Sequence, residues 1–249
     1  MKLAGCMVAQ NYNKRYGTFR CLKSLCDFTT VLDDNSIDPD SIRALMAEDP
    51  GEHMLLTRPD DSLWNDTANR TMLMYRAYVA GCDFVLPWSA DVLPSAKLYE
   101  WIQSLRHPTA ARALSPRIDF YRVELRELWD SPYRWRSDGV WAKKRNVFLQ
   151  RNWFFDPQYS MPLAENRLHA YPFPPHREAK IQDLKLPCCI YHFGSIGIGQ
   201  RMERVAKYAV EDKANQFQAD YTYLNNEAGA ELTPVPREDQ DFFRMWGAI

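Results

Sequence analysis

Two hydrophobic segments of this sequence end abruptly on acidic residues. The segment FTTVLDDNS at 28–36 contains Asp33 and Asp34, and the segment FVLPWSAD at 84–91 ends on Asp91. In open α/β sheets, ligands bind in the crevice beyond the carboxyl ends of the strands, so acids at these points predict a binding site. Ordinary turn and loop acids are the alternative interpretation of the same residues. We favour a site for a phosphate-bearing ligand held through a divalent cation.

The chemistry expected of each residue follows from its type. Asp33 or Asp34 would accept hydrogen bonds from ribose hydroxyls or from a base N–H. Asp91 would bind Mg²⁺ or Mn²⁺, because hard ions prefer carboxylate oxygens and need only one or two from the protein when phosphates are present. His192 ends the apolar run CCIYH. It would complete a Mn²⁺ site begun by Asp91, with a hydrogen-bonded structural histidine as the alternative.

Three further groups of residues have a chemical interpretation. Asn69 and Arg70 lie on a predicted helix, where Arg70 is either part of a solvated face or a clamp for a phosphate. The segment at 129–141, rich in Trp and Arg, indicates either core packing or a cradle for a carbohydrate. The loop at 194–201, GSIGIGQR, does not match a P-loop, and it predicts a flexible closure over a diphosphate. The basic residues that would assist this loop are Arg201, Arg204 and Lys207.

Hydrophobic periodicity predicts the elements that would position these residues. Short apolar strands alternate with helices up to about residue 105, which is typical of a parallel, doubly wound sheet with right-handed crossovers. The predicted strands are 3–9, 28–33, 53–57 and 83–87, and the predicted helices are about 18–26, 40–47, 63–79 and 95–105. Beyond Pro108 the alternation ends in a loop-rich lobe. Its predicted elements are strand-like pieces at 118–123 and 146–150, a charged helix at 201–213, and a loosely packed polar tail after Asn225.

Composition narrows the class of protein. A chain of 249 residues with 46% hydrophobic content is long enough for one large catalytic domain. The 31 basic and 32 acidic residues nearly cancel, which disfavours a nucleic-acid partner. The six cysteines have no CxxC spacing, so we expect a reduced, cytoplasmic setting. No signal peptide or transmembrane segment is predicted.

Several of these motifs together resemble the family 2 glycosyltransferases, which have the GT-A fold. The motifs are VLDDNS, the helix WNDTANR, FVLPWSAD, and YHFG followed by Arg201 and Lys207. The resemblance covers residues 1–105 well and 188–208 moderately. It implies an α/β protein with a mostly parallel, Rossmann-like sheet flanked by helices, a loop-rich acceptor lobe and a C-terminal helical segment.

The resemblance also implies roles for particular residues. In the family, an Asp-x-Asp motif holds the metal and the sugar diphosphate, and it corresponds here to Ser89-Ala90-Asp91, with Ser89 in place of the first acid. A late histidine can complete the metal site, and His192 matches its position. The expected metal ligands are thus Asp91 and His192, with Mn²⁺ or Mg²⁺ as cofactor. The residues expected to bind the nucleotide sugar are Asn11, Asp33, Asp34, Asn69, Arg70, Ser89 and Asp91.

The activity that the resemblance implies is a metal-dependent, inverting sugar transfer. The donor would be a UDP- or GDP-sugar, and the acceptor a hydroxyl of a glycan or glycoconjugate. A carboxylate of the variable lobe would remove the acceptor proton. Asp138 is the first choice for this base, with Glu165 and Asp156 as alternatives that the spacing does not separate.

Two other functions remain open at this point. A sugar nucleotidyltransferase needs a glycine-rich, basic loop after the first strand, and residues 9–17 contain one glycine, which disfavours it. A catalytically degenerate carbohydrate-binding or scaffolding protein is the non-enzymatic alternative, because of Ser89. We predict one catalytic domain at 1–225, with a nucleotide-sugar-binding half at 1–107 and an acceptor-binding half at 108–200. A tail is predicted at 226–249.

Overall fold

The computed structural model describes residues 1–10, 17–34, 36, 40, 47, 53–56, 65–115, 117–118, 120–129, 134–136, 142–151, 180–195, 197–212, 221–225 and 231–249. The first half of the chain contains β1 (Leu3–Ala9), α1 (Thr18–Leu25), β2 (Phe28–Asp34), β3 (His53–Leu56), α2 (Asp66–Val79), β4 (Phe84–Ser89), β5 (Val92–Pro94), α3 (Ala96–Ser104) and α4 (Pro108–Ala113). The second half contains β6 (Phe120–Trp129), β7 (Arg134–Arg136), β8 (Ala142–Arg151), β9 (Ile181–His192), α5 (Ile198–Glu211), β10 (Leu232–Pro234) and α6 (Arg237–Met245). Short 3₁₀ turns cover Phe193–Ser195 and Thr222–Asn225. The helix predicted at about 40–47 lies largely outside the described residues.

Within the described residues, eight strands form one mixed sheet in the order β3-β2-β1-β4-β8-β6-β9-β5. The first four are parallel. Strand β8 is antiparallel to both β4 and β6, β6 is parallel to β9, and β5 is antiparallel to β9. The predicted fold class, an α/β protein with a mostly parallel sheet flanked by helices, is confirmed. The wholly parallel sheet expected from periodicity is limited to the first four strands, because the later strands pair antiparallel as well.

Strand β1 lies at the centre of the parallel part, and both of its faces are buried. Leu3, Met7 and Ala9 join the larger core beneath α1, while Cys6 and Val8 join a second core beneath α2. Burial on both faces explains why this strand is almost continuously apolar. The strand order also reverses at β1, with β2 on one side and β4 on the other, which is the point where open α/β sheets bind ligands.

The long strands of the second half were predicted only as short pieces. Strands β6 and β8 have ten residues each and β9 has twelve. In β6, Tyr121, Val123 and Leu125 are buried, whereas Arg126 is exposed. The alternation is that of a strand with one core-facing side, but the polar residues between the buried ones weaken the sequence signal.

The C-terminal segment is firmly packed, and the prediction of a loose tail is wrong. Helix α6 buries Phe242 and Phe243, and the Phe243 ring contacts Tyr191 and Phe193 with centroid separations of 4.8 and 5.1 Å. Asp239 accepts hydrogen bonds from the Tyr191 hydroxyl (2.6 Å) and from the N–H of the first residue of α3 (2.8 Å). These contacts hold the end of β9, where His192 lies. The predicted division of the chain into domains stays a prediction.

The six cysteines are free thiols, and four of them are buried. Among the described residues, no helix combines the length and the apolar character needed to cross a bilayer.

Candidate active site

The carboxyl ends of β1, β2 and β4 lie side by side. Ala9 of β1 pairs with Asp33 of β2, and Val8 pairs with Ser89 of β4. Asp33 and Ser89 therefore lie at the same edge of the sheet, on either side of β1. The structure confirms the sequence expectation that these two acid-bearing strands end at the same edge.

The two acids at the end of β2 are both buried. The side-chain amide of Asn69, on α2, donates a hydrogen bond to Asp34, and the Ser36 hydroxyl donates one to Asp33. Asn65 caps the start of α2 by accepting a hydrogen bond from the N–H of Ala68 at 3.0 Å. The first turn of α2 is thereby held against the end of β2, which brings together two of the residues predicted to bind the nucleotide.

Arg70, the predicted phosphate clamp, has an acidic partner on its own helix. Its Nε lies 2.9 Å from Oδ2 of Asp66, one turn earlier, and Asp66 is buried. The pair lies at the same edge of the sheet as Asp34. The role of Arg70 towards a phosphate stays a prediction.

The centre of the site is a contact between Asp91 and His192. Asp91 lies in the turn between β4 and β5, and His192 is the last residue of β9. Strands β5 and β9 are antiparallel neighbours, with Val92 opposite His192. This pairing brings Oδ2 of Asp91 within 2.8 Å of Nε2 of His192, although the residues are 101 positions apart in the chain. The structure thus brings together the two predicted metal ligands.

Two basic residues of α5 point to the same edge. Arg204 donates from Nη2 to Asp91 Oδ2 at 2.7 Å, and its Nη1 lies 3.2 Å from Nε2 of His192. Lys207, three positions later and so on the same helix face, donates to the Gln10 side chain at 2.6 Å, just after β1. Arg201, the third basic residue predicted to assist the loop, has a buried side chain. Of the three basic residues predicted to assist the loop, Arg204 contacts the centre and Lys207 reaches the end of β1.

Glu127 completes the cluster from the middle of the sheet. Its side chain is fully buried on β6, and Oε1 lies 3.2 Å from Nδ1 of His192. The imidazole therefore lies between two carboxylates, Asp91 at Nε2 and Glu127 at Nδ1. The sequence reasoning missed Glu127. The available signal was that Glu127 is an acid at the next core-facing position after Tyr121, Val123 and Leu125.

Gly194 is required by the close approach of the cluster to the backbone. A Cβ at this position would lie 2.1 Å from Oδ2 of Asp91 and 2.5 Å from Nη2 of Arg204. Phe193 adds a backbone hydrogen bond from its N–H to the Asp91 carbonyl at 2.7 Å. The glycine therefore lets the chain after His192 pass directly against the Asp91–Arg204 pair.

Opposite charges at short range shift the pKa values of the cluster. Burial alone would raise the pKa of Asp91, but the charge and hydrogen bond of His192, and then those of Arg204, outweigh it and hold this pKa well below its usual 3.8. Burial lowers the pKa of His192, but Asp91 and then Glu127 more than compensate, so the pKa lies above its usual 6.5. The Arg204 pKa is likewise raised against burial by Asp91. The mutual contacts of Asp91, His192 and Arg204 therefore favour the charged form of each group.

The stability that His192 contributes should depend on pH. Because its folded pKa is raised, this contribution is complete below pH 6.5 and is lost as the pH rises through the folded value. The Asp91 pKa is lowered, so its contribution is present above pH 3.8 and is lost as the pH falls through the folded value. We expect His192→Gln to lower the melting temperature most between pH 3.8 and 6.5 and less at higher pH. Melting curves of both proteins across this range would check this, and a difference that grows with rising pH would contradict it.

The two predicted metal ligands fit a divalent cation bound together with phosphates. Oδ2 of Asp91 and Nε2 of His192 face one another, and Mg²⁺ in phosphate sites usually takes only one or two carboxylates from the protein. The described residues include no group of three or more His, Cys, Asp or Glu that would hold a metal without other ligands. Because Arg204 donates to the same Asp91 oxygen, an ion at this point requires Arg204 to move.

Competition between Arg204 and the ion gives a measurable expectation. Arg204→Ala should raise the affinity for Mn²⁺ alone by about fivefold, since removing one nearby positive charge at a partly exposed site changes the binding free energy by about 1 kcal/mol. The free ion can be quantified by electron paramagnetic resonance. Arg122→Ala is the matched control, because it removes an arginine paired with Asp183 outside the cluster. Equal or weaker Mn²⁺ binding in Arg204→Ala would argue against a shared position.

Three residues of the predicted site lie outside the described part of the chain. They are Asn11, predicted to contact the nucleotide sugar, and Asp138 and Glu165, predicted as catalytic bases. Asp156, the other alternative for the base, also lies outside it, as does most of the aromatic segment at 129–141.

No protein-family model matches the chain, and no curated protein sequence matches it. Solved structures with a similar backbone include CMP:2-keto-3-deoxy-manno-octonic acid synthetase complexed with CTP, at 10% identity and a TM-score of 0.46, covering 86% of this chain and 100% of that one. Another is glucosyl-3-phosphoglycerate synthase from Mycobacterium tuberculosis in complex with Mn²⁺, UDP and glucosyl-3-phosphoglycerate. It has 12% identity and a TM-score of 0.39, covering 61% of this chain and 57% of that one. The function proposed below therefore rests on the residues of the site itself.

Proposed function

We propose that this protein is a glycosyltransferase that moves a sugar from a nucleoside-diphosphate sugar to a hydroxyl of a glycan or glycoconjugate. The observation that carries the proposal is the cluster of Asp91, His192 and Arg204. It lies at the sheet edge where the buried acids Asp33 and Asp34 end β2. This edge therefore combines acceptors suited to a nucleoside with cations suited to a diphosphate.

The nucleoside would lie at the end of β2. Carboxylates accept hydrogen bonds from ribose hydroxyls and from a base N–H, and Asp33 and Asp34 are placed together there. Asn69 orients Asp34 through its amide. Ser89, which lies across β1 from Asp33, would contact the ribose or the first phosphate.

The diphosphate would lie between the ends of β1 and β4. Once the ion displaces Arg204 from Asp91, the guanidinium would offer its five N–H donors to phosphate oxygens, which it binds as well as it binds carboxylates. Lys207 adds a second positive charge near the end of β1. Asp91 and His192 would hold a Mn²⁺ or Mg²⁺ ion, which when bound would offset negative charge on the departing diphosphate.

In the transfer itself, the acceptor hydroxyl oxygen attacks the anomeric carbon while the bond from that carbon to the diphosphate oxygen breaks. A carboxylate takes the hydroxyl proton, and the nucleoside diphosphate leaves with the electron pair. Attack on the face opposite the leaving group inverts the anomeric centre. We propose Asp138 as the base, with Glu165 and Asp156 as alternatives.

Nucleotide binding is the experiment that tests this function. Melting temperatures would be measured with UDP, GDP, CMP and TDP, each with and without Mn²⁺, because a ligand at about 100 times its Kd stabilises the folded state by roughly 2.7 kcal/mol. We expect one nucleoside diphosphate to raise the melting temperature, and more so with Mn²⁺. Asp33→Asn should reduce that rise. Asp183→Asn, an exposed acid outside the site, is the control and should leave it unchanged.

The two alternatives predict different results in the same experiment. A degenerate carbohydrate-binding protein would respond to none of the four nucleotides and would bind glycans directly. A sugar nucleotidyltransferase would be stabilised more by a nucleoside triphosphate than by the matching diphosphate, and it would release pyrophosphate when given that triphosphate together with a sugar phosphate. If none of the three diphosphates UDP, GDP and TDP raised the melting temperature, the proposal would be overturned.

A further inference from the structure

Glu127 is a carboxylate that the proposed transfer does not use directly. Its side chain is completely buried, on a strand that lies between β8 and β9. A buried carboxylate is costly unless a charged or hydrogen-bonding partner compensates it, whereas a leucine of similar size carries no such cost. One charged group close to Glu127 is the imidazole of His192, whose Nδ1 lies 3.2 Å from Oε1. Glu127 therefore occupies a core-facing position on β6, where its carboxylate contacts His192.

A shift in strand register brings these two residues within reach. Before the shift, Glu124 of β6 pairs with Lys185 of β9, and after it Arg126 pairs with Cys189. Strand β9 thus contains two more residues than β6 across this irregularity, and Pro187, which cannot donate to the ladder, lies among them. Because of these two extra residues, His192 lies opposite Trp129 of β6 and not two positions further along. Trp129 is two residues beyond Glu127.

Fixing one nitrogen of the imidazole fixes the direction of the other. Nδ1 faces Glu127 and Nε2 faces Asp91 and Arg204. Carboxylates that receive the second ring N–H commonly set both the orientation and the tautomer of a functional histidine. Here the Glu127 carboxylate lies inside the sheet, 3.2 Å from Nδ1, and Nε2 lies at the edge where the site is.

We infer that Glu127 is a positioning residue, which holds Nδ1 of His192 so that Nε2 is presented to Asp91 and to the ligand. The inference rests on the proposed function for the identity of that ligand. The contact between Glu127 and His192 is present in the structure whatever that ligand is. Glu127 therefore acts through His192 and does not touch the substrate.

The state of the imidazole is the direct test. Long-range ¹H–¹⁵N spectra of the histidine side chains would be recorded, with the His192 signals assigned by their loss in His192→Gln. In the wild-type protein we expect a single state with a slowly exchanging proton on Nδ1. Glu127→Leu should replace it with exchange-averaged signals and should weaken the binding of Mn²⁺ alone by about 10- to 100-fold. Glu127→Gln, which keeps the shape of the side chain and an oxygen atom beside Nδ1, should retain most of both properties.

A matched control separates positioning from general stability. Asp212 is also buried and accepts a hydrogen bond from the Tyr221 hydroxyl at 2.9 Å, away from His192. Asp212→Asn should lower the melting temperature and leave the His192 signals unchanged. Unchanged His192 signals in folded Glu127→Leu would overturn the inference. If Glu127→Leu does not fold, the spectrum of the wild-type protein still tests the inference. A rapidly exchanging proton on Nδ1, or a mixture of His192 tautomers, would overturn it. If no nucleotide binds, the proposed function is wrong, but the histidine spectra still test whether Glu127 positions His192.

Discussion

Asp91→Asn is expected to lower kcat/KM for sugar transfer at least 100-fold, which corresponds to about 2.7 kcal/mol of lost transition-state stabilisation. The substitution keeps the shape of the side chain but removes the charge that both His192 and Arg204 contact. The amide is a poor ligand for a divalent ion, and it leaves two cationic groups without their shared counter-charge. Transfer would be measured with the donor identified by the nucleotide panel.

The control for this variant is Asp183→Asn, which removes an exposed acid paired with Arg122 on the neighbouring strand. It should transfer sugar at the wild-type rate. Circular dichroism of both variants would establish that they are folded under the assay conditions. If kcat/KM of Asp91→Asn stayed within about threefold of the wild-type value, the site would not be the centre of catalysis.

Gly194→Ala is expected to have an effect of similar size, although it removes no functional group. The new methyl group would lie 2.1 Å from Asp91 Oδ2 and 2.5 Å from Arg204 Nη2, so both side chains must move or the backbone after His192 must shift. A misplacement of about 1 Å at a catalytic centre can cost on the order of 100-fold in rate. We therefore expect both nucleotide affinity and transfer to fall sharply.

Gly199→Ala is a matched control five residues later. A Cβ there has nothing within 4 Å, and the residue lies in the first turn of α5, where alanine favours the helix by about 0.5–1 kcal/mol. This variant should melt at the same or a higher temperature and transfer sugar normally. If Gly194→Ala behaves like Gly199→Ala, the tight approach at Asp91 is not required for function.

The structure extends the sequence-based picture most in the second half of the chain. Strand β6 reads as polar over much of its length because only alternate residues face the core. Helix α6 has a very polar composition, yet Phe242 and Phe243 on one face bury it against β9. In both elements a single apolar face determines the packing, and an average over the segment conceals that face.

Long-range pairing accounts for the parts of the site that the sequence did not reveal. Lys207 reaches Gln10 across 197 positions, and Glu127 reaches His192 only after the register shift at Pro187. Neither contact has a signature in spacing along the chain. A search for acids at inward-facing strand positions would have singled out Glu127, but not its partner.

By itself, the sequence determined which strands end on acids. Asp33, Asp34 and Asp91 follow apolar runs, and both the strands and their ends are set by local residue types. It also indicated His192 and the basic face of α5. Only the tertiary structure decided that Asp91, His192, Arg204 and Glu127 form one cluster. The pairing of β9 with both β5 and β6 creates that cluster, and such pairing depends on packing between segments far apart in the chain, which periodicity within one segment does not encode.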